Sequence, residues 1–236
     1  MTDLPPGLII ALGALLVPLL RGRLRNAYML ALPLVGIWGL IQIDPGTYFQ
    51  FELFGQTLVP VRIDSLSLIF GYIFHIATAI CVIYAFHLKD TTQMVAALIY
   101  AGCAIGAAFA GDLVTLFVYW EGTAISSVFL IWASGTESAY RAGMRYLIVQ
   151  VASGVLLLAG AVLFFDATGS LAFEKMGLSG PGPVLIFIAF GIKAAFPLLH
   201  NWLQDSYPEA TVTGTVFLSA FTTKLAIYAL ARGFPG

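Results

Sequence analysis

The sequence predicts an all-α integral membrane protein, and three observations carry that prediction. Hydrophobic residues fill 60% of the 236 positions and charged residues only 10%, against about 25% charged in a soluble domain. Eight apolar runs recur along the chain, most of them near the roughly 20 residues that a helix needs to cross a bilayer. The charged side chains fall mainly between those runs. A formal net charge of −1 supplies no basic surface for nucleic acid, so no such partner is expected.

The runs are Leu4–Leu20, Tyr28–Ile43, Ser65–His87, Met94–Ala110, Leu113–Ala133, Met144–Phe165, Val184–Leu199 and Thr213–Ala231. The start, MTDLPPG, lacks a basic segment, so the first run reads as a retained span rather than a cleaved signal. Between the second and third runs, "TYFQFELFGQTLVPVRI" alternates and holds Gly55, which predicts a small hairpin outside the membrane. Residues 166–183 form a second loop, rich in Gly and Pro. Arg21, Arg23 and Arg25 after the first run, with Arg141 and Arg145 after the fifth, place those loops on the cytoplasmic side. Both chain ends then face outward. Gly102 and Gly106 make a GxxxG pair in the fourth run, a close-packing signal. Cys81 and Cys103 show no metal-ligand spacing and read as small packing residues.

Three ionisable residues fall inside apolar runs: Glu121, Lys193 and Lys224. A charge near a helix centre costs roughly 2.5–3.5 kcal/mol on insertion scales, so such residues pair, line water or titrate. The stretch "GIKAAFPLLHNWLQD", Gly191 to Asp205, puts Lys193 four residues before Pro197. Proline removes a backbone hydrogen bond and clashes with the preceding turn. Carbonyls freed in lipid need protein or water partners. A seventh helix broken at Pro197 would set unwound backbone and water beside a titratable amine, as in many transporters. His200, near the far end of that break, suits proton relay or interfacial anchoring beside Trp202. His75 lies mid-run and reads as a packing residue or a relay member. Asp64 beside Arg62 reads as a cap or pair. Arg145 would meet a lipid phosphate or an acidic neighbour.

Three separated motifs, "FVYWEGTAISSVFLIW", "GIKAAFPLLHNWLQDSYPEA" and "TGTVFLSAFTTKLAIYAL", resemble the central signature of the antiporter-like membrane subunits. These include the proton-pumping subunits of respiratory complex I and the D-type subunits of multisubunit cation/proton antiporters. "RIDSLSLIF" at Arg62–Phe70 is similar to the family's entry into its third helix. The resemblance implies that Glu121 pairs with Lys193, that Lys193 lies on the broken helix, and that Lys224 passes protons towards a central hydrophilic axis. His200 falls in the family's "PLHxWL" segment, written here "PLLHNWL" with an extra leucine. "EATVTG" stands where many members have "EAPT".

The resemblance further implies leading helices and a hairpin over residues 1–92 and one antiporter-like repeat over 93–236. Family members usually have about fourteen helices in two inverted repeats, so another membrane subunit supplying the second repeat is the expected partner, beside lipid. The expected function is a proton, or cation/proton, half-channel through Glu121, Lys193 and Lys224, flanked by His75 and His200, in the inner membrane of a bacterium. The alternative is a non-conducting assembly subunit whose charges sit in fixed ion pairs. There is no phosphate loop, metal-ligand cluster or nucleophile motif, so no cofactor or metal is expected. Any link to NADH:quinone oxidoreductase-like chemistry would lie in partner subunits.

Overall fold

The structure, a computed structural model, describes residues 5–53 and 55–235; the predicted first-run start at Leu4 lies outside them. The elements are α1 (Pro6–Gly13), α2 (Gly22–Ile41), β1 (Gly46–Tyr48), β2 (Phe51–Leu53), β3 (Gln56–Leu58), β4 (Val61–Ile63), α3 (Ser65–Tyr84), α4 (Thr91–Phe109), α5 (Leu113–Trp132), α6 (Glu137–Thr168), α7 (Pro181–Lys193), α8 (Asn201–Ser206) and α9 (Val212–Gly233), with short 3-10 turns extending α1 and α3. Among the described residues, six helices are long and apolar enough to cross a membrane: α2, α3 with its extension, α4, α5, α6 and α9. Residues 6–19 and α7 form shorter apolar helical pieces.

α4 is the centre of the bundle. It packs against α1, α3, α5 and α9, and 78% of its apolar window is buried, more than in any other spanning helix described. Small residues make this possible. A Cβ added to Gly102 would lie 2.7 Å from both the Ala11 nitrogen and the Gly7 oxygen, so α1 and α4 meet backbone to backbone.

Several boundaries differ from the sequence reading. α2 begins at Gly22, so Arg23 and Arg25 ride in its first turns rather than in a loop. Their long aliphatic stems allow this, because the guanidinium can reach out of the apolar layer; Arg25 Nη2 donates to Leu88 O at 2.7 Å. Arg141 and Arg145 likewise lie inside α6, which Thr136 caps by accepting from Ala139 N. The Asp44–Asp64 segment folds as nested antiparallel pairs, β1 with β4 and β2 with β3.

That hairpin closes one end of the bundle. Asp112 caps α5 by accepting from Thr115 N at 2.7 Å, and its other oxygen accepts from Val59 N at 2.8 Å. Gly111 N donates to Val59 O, Phe173 N to Gly111 O and Leu113 N to Leu171 O, each at 2.9 Å. Asp64 caps α3 in a capping box with Ser67 and receives both terminal nitrogens of Arg232, from the end of α9, at 2.8 Å. Arg62 Nη2 donates to Phe173 O at 2.6 Å. Four separate segments are thus latched into one rim.

Candidate functional site

The site grows from the way α7 stops. The helix ends at Lys193, four residues before Pro197, which corrects the expectation of a break at the proline itself. Its last turn closes with Ala195 N donating to Ile192 O at 3.1 Å and Phe196 N to Gly191 O at 3.0 Å. Ala195 itself is left-handed, with φ 60°. This is a Schellman motif, and it usually carries glycine where this chain has alanine. The Phe196 ring covers Gly191, the apolar contact that accompanies such a cap. Pro197 then disfavours helix at the residue before it, and Leu198 is left-handed too, with φ 72°. The chain turns helical again only at α8, whose Trp202 reaches back to donate to Ile192 O at 2.9 Å.

Lys193 therefore sits in the last turn of a helix, 1% exposed, where the dipole favours a cation. Its ammonium donates to Trp120 O at 3.0 Å and Thr123 Oγ1 at 2.8 Å and lies 4.3 Å from the Trp120 ring centroid. The partners are themselves fixed. Trp120 Nε1 donates to Ser153 Oγ at 3.0 Å, Ser153 Oγ donates to Ala189 O at 2.8 Å, and Thr123 Oγ1 donates to Trp120 O at 2.7 Å. All these acceptors are neutral. Among the described residues the ion pairs are Arg62–Asp64, Arg141–Glu137, Arg145–Asp205 and Arg232–Asp64, and none holds Lys193, Glu121 or Lys224.

The predicted residues are only partly brought together. Glu121 is one position from Trp120 on α5, and its Oε1 is buried against Gly154 of α6 with no hydrogen-bond partner among the described residues. It does not make the expected ion pair with Lys193 within 4.0 Å. Lys224 is exposed and donates to Ser219 O of its own helix at 2.6 Å, so it shares no partner with Lys193. His200 is the N-terminal flanking residue of α8, partly buried, and makes no side-chain cap. His75 is buried on α3; its Nδ1 donates to Gly71 O at 2.7 Å and its Nε2 faces Gly36 of α2. Pro197 is exposed in the segment between α7 and α8.

Several site residues escaped the sequence reading. Trp120 and Thr123 looked like ordinary membrane residues. Tyr146 and Ser127 share a hydrogen bond of 2.7 Å between α6 and α5, and Tyr100 bonds Thr222 across α4 and α9. Gln150 is fully buried on α6, and neither amide atom has a partner among the described residues. The signal for it was present: one amide inside "YLIVQVASGVLLL" is costly to bury without partners, though less so than a charge.

Residues 110–235 match the family described as NADH:quinone oxidoreductase/Mrp antiporter, TM. The Na(+)/H(+) antiporter D subunit of Alkalihalophilus pseudofirmus is 29% identical over 139 residues, covering 55% of this chain and 28% of that protein. The NADH-quinone oxidoreductase N subunit of Desulforudis audaxviator is 34% identical over 138 residues, covering 54% of this chain and 27% of that protein. A chain of the membrane-bound sulfane sulfur reductase, an archaeal respiratory membrane complex, shares the fold with a TM-score of 0.83 at 23% identity, over 96% of this chain and 39% of that one. The matched stretch is thus under a third of either curated relative.

Proposed function

Because the chain belongs to the NADH:quinone oxidoreductase/Mrp antiporter transmembrane family, we propose that it carries protons, or protons in exchange for another cation, across a bacterial inner membrane as one subunit of a larger assembly. Residues 93–236 form the conducting repeat and 1–92 the leading helices. α7, the non-helical segment through Pro197, and α8 act as a single interrupted crossing with Lys193 at its break. The named relatives are subunits of multisubunit systems, which supports the larger assembly.

The observation that carries the reading is the environment of Lys193. Its ammonium is buried, and its hydrogen-bond partners among the described residues are a carbonyl and a hydroxyl, beside the face of the Trp120 ring. Among the described residues no carboxylate lies within ion-pair distance of it, so the fixed ion pair that an assembly-only role would use is missing, and neutral partners leave the amine free to lose its proton. Glu121, close by on α5, biases that exchange through space. Lys224, exposed on a spanning helix, passes the charge to whatever membrane-embedded unit covers it, because charges seldom face lipid. A unit bearing the second inverted repeat, in the same polypeptide or another, fits that role. His75 and His200 flank the route. Moving one charge through the full field involves about 2.3 kcal/mol per 100 mV, so a coupled gradient or redox partner supplies the drive.

The test is Lys193→Ala in the assembly, measured as dye-detected pH change in inverted membrane vesicles. Proton transport is expected to fall to background while the subunit still co-purifies with its partners. Transport at the unsubstituted rate would remove Lys193 from the path.

A further inference from the structure

Gln150 is the group that the proposed route leaves unexplained. It is 0% exposed, lies inside a membrane-spanning helix, and neither Oε1 nor Nε2 has a protein partner among the described residues. Leaving an amide so placed without partners costs several kcal/mol, and buried polar groups are nearly always satisfied, by protein or by ordered water.

Its position is fixed by its neighbours. Trp120 pairs with Ser153, and Ser127 pairs with Tyr146, so α5 and α6 run antiparallel in a defined register. Interpolation between the two pairs sets Gln150 opposite Thr123 and Ala124. Thr123 is the hydroxyl that holds the Lys193 ammonium, and Ala124, fully buried, offers only a methyl group. One turn along α6 from Gln150, Gly154 lies against the unpartnered Oε1 of Glu121. One turn the other way is Tyr146. The unpartnered Gln150 amide thus lies about one helical turn from the Tyr146–Ser127 hydroxyl pair on one side and from Gly154, which faces Glu121, on the other.

We propose that the Gln150 amide anchors an ordered internal water at this contact, one member of a short chain of waters between the Tyr146–Ser127 hydroxyl pair and the Lys193–Glu121 end of the contact. An amide suits the task because it presents both donor and acceptor, so a water can be held while its protons change places. Gln150 is then a positioning residue: it never takes the proton, and it orients the molecule that does. The role in transport rests on the proton-path reading above; the water itself does not.

Two measurements on the assembly purified from native membranes into lipid nanodiscs test this. Cryo-electron microscopy at a resolution that shows ordered water is expected to place density at hydrogen-bond distance from the Gln150 amide and to lose it in Gln150→Met. A wild-type map in which the amide instead bonds a protein group overturns the proposal, whatever the chain transports. Gln150→Met removes both polar atoms at nearly constant volume. Proton transport in vesicles should fall about tenfold, the scale of one well-placed hydrogen bond, while thermal stability holds or rises. Gln150→Asn, which keeps the amide, should recover most of the loss. Wild-type transport in Gln150→Met overturns the positioning role. Should Gln150→Met fail to assemble, Gln150→Leu carries the same two readouts. Loss of transport in Lys193→Ala without loss in Gln150→Met would sink the positioning role and spare the route; transport unaffected by Lys193→Ala would sink the route and leave the water to be judged on density.

Discussion

At the residue scale, Asp64 shows how one carboxylate serves three structures. It caps α3, binds Arg232 in a two-pronged contact and lies 3.4 Å from Arg62 Nε. Burial pushes its carboxyl up, but hydrogen bonds from Arg232 and the Ser67 amide, with the charges of Arg232 and Arg62, outweigh that and hold it at about 2. A carboxyl lowered on folding adds stability that is fully present above its unfolded value, near 3.9, and is lost as pH falls through about 2. Asp64→Asn keeps a capping side chain and removes the charge. In thermal unfolding it should cost about 1 kcal/mol near neutral pH, discounted because the carboxylate is partly solvated. The gap to wild type should narrow between pH 4 and pH 2. A gap constant across that range would show that Arg232 binds Asp64 without the charge mattering.

Legibility at this scale followed chemistry. Glu121 and Lys193 were readable because a charge in an apolar run must be paired, hydrated or titrating, whereas their distance was not, since spacing says nothing about which rotamers meet. Lys193 chose a tryptophan carbonyl and a threonine, groups that are everywhere in such sequences. Gln150 carries the same kind of signal without a charge, and so stands out less. Asp64 was recognisable as a cap from its place before "SLSLIF", but Arg232, at the other end of the chain, could not be named as its partner.

At the scale of elements, the end of α7 is the instructive case. Pro197 lies in the non-helical segment between α7 and α8, yet α7 stops four residues before it because a Schellman motif forms at Ala195, and no glycine announces it. Ala195→Gly relieves the left-handed strain, worth about 1 kcal/mol, partly offset by the greater freedom of glycine in the unfolded chain. The melting temperature should rise slightly with transport unchanged; a fall would mean that the alanine methyl packs favourably where it is. The α1–α4 crossing is the opposite case, legible as GxxxG. Gly102→Ala would drive a methyl group into the α1 backbone and should cost about 1–3 kcal/mol. Weakened crosslinking between cysteines placed on α1 and α4 would report it. Helix ends were least legible, since the basic residues of α2 and α6 that look like loop markers can extend a helix by reaching past the apolar layer.

At the scale of the whole molecule, apolar composition and run length were enough for an all-α membrane bundle, because lipid leaves the backbone few alternatives. They could not name α4 as the centre, which depends on small residues shared among four neighbours. Nor could they show that the rim at the hairpin end gathers its parts from the whole chain. That rim bears on the order of assembly. Asp64 and Arg232 are 168 residues apart, and synthesis proceeds at about 5–20 residues per second. For on the order of ten seconds, then, each new copy holds its third helix in place without its latch. The bundle is tied shut by almost the last residue described, so the earliest helices wait, with their charged corner open, for α9 to arrive.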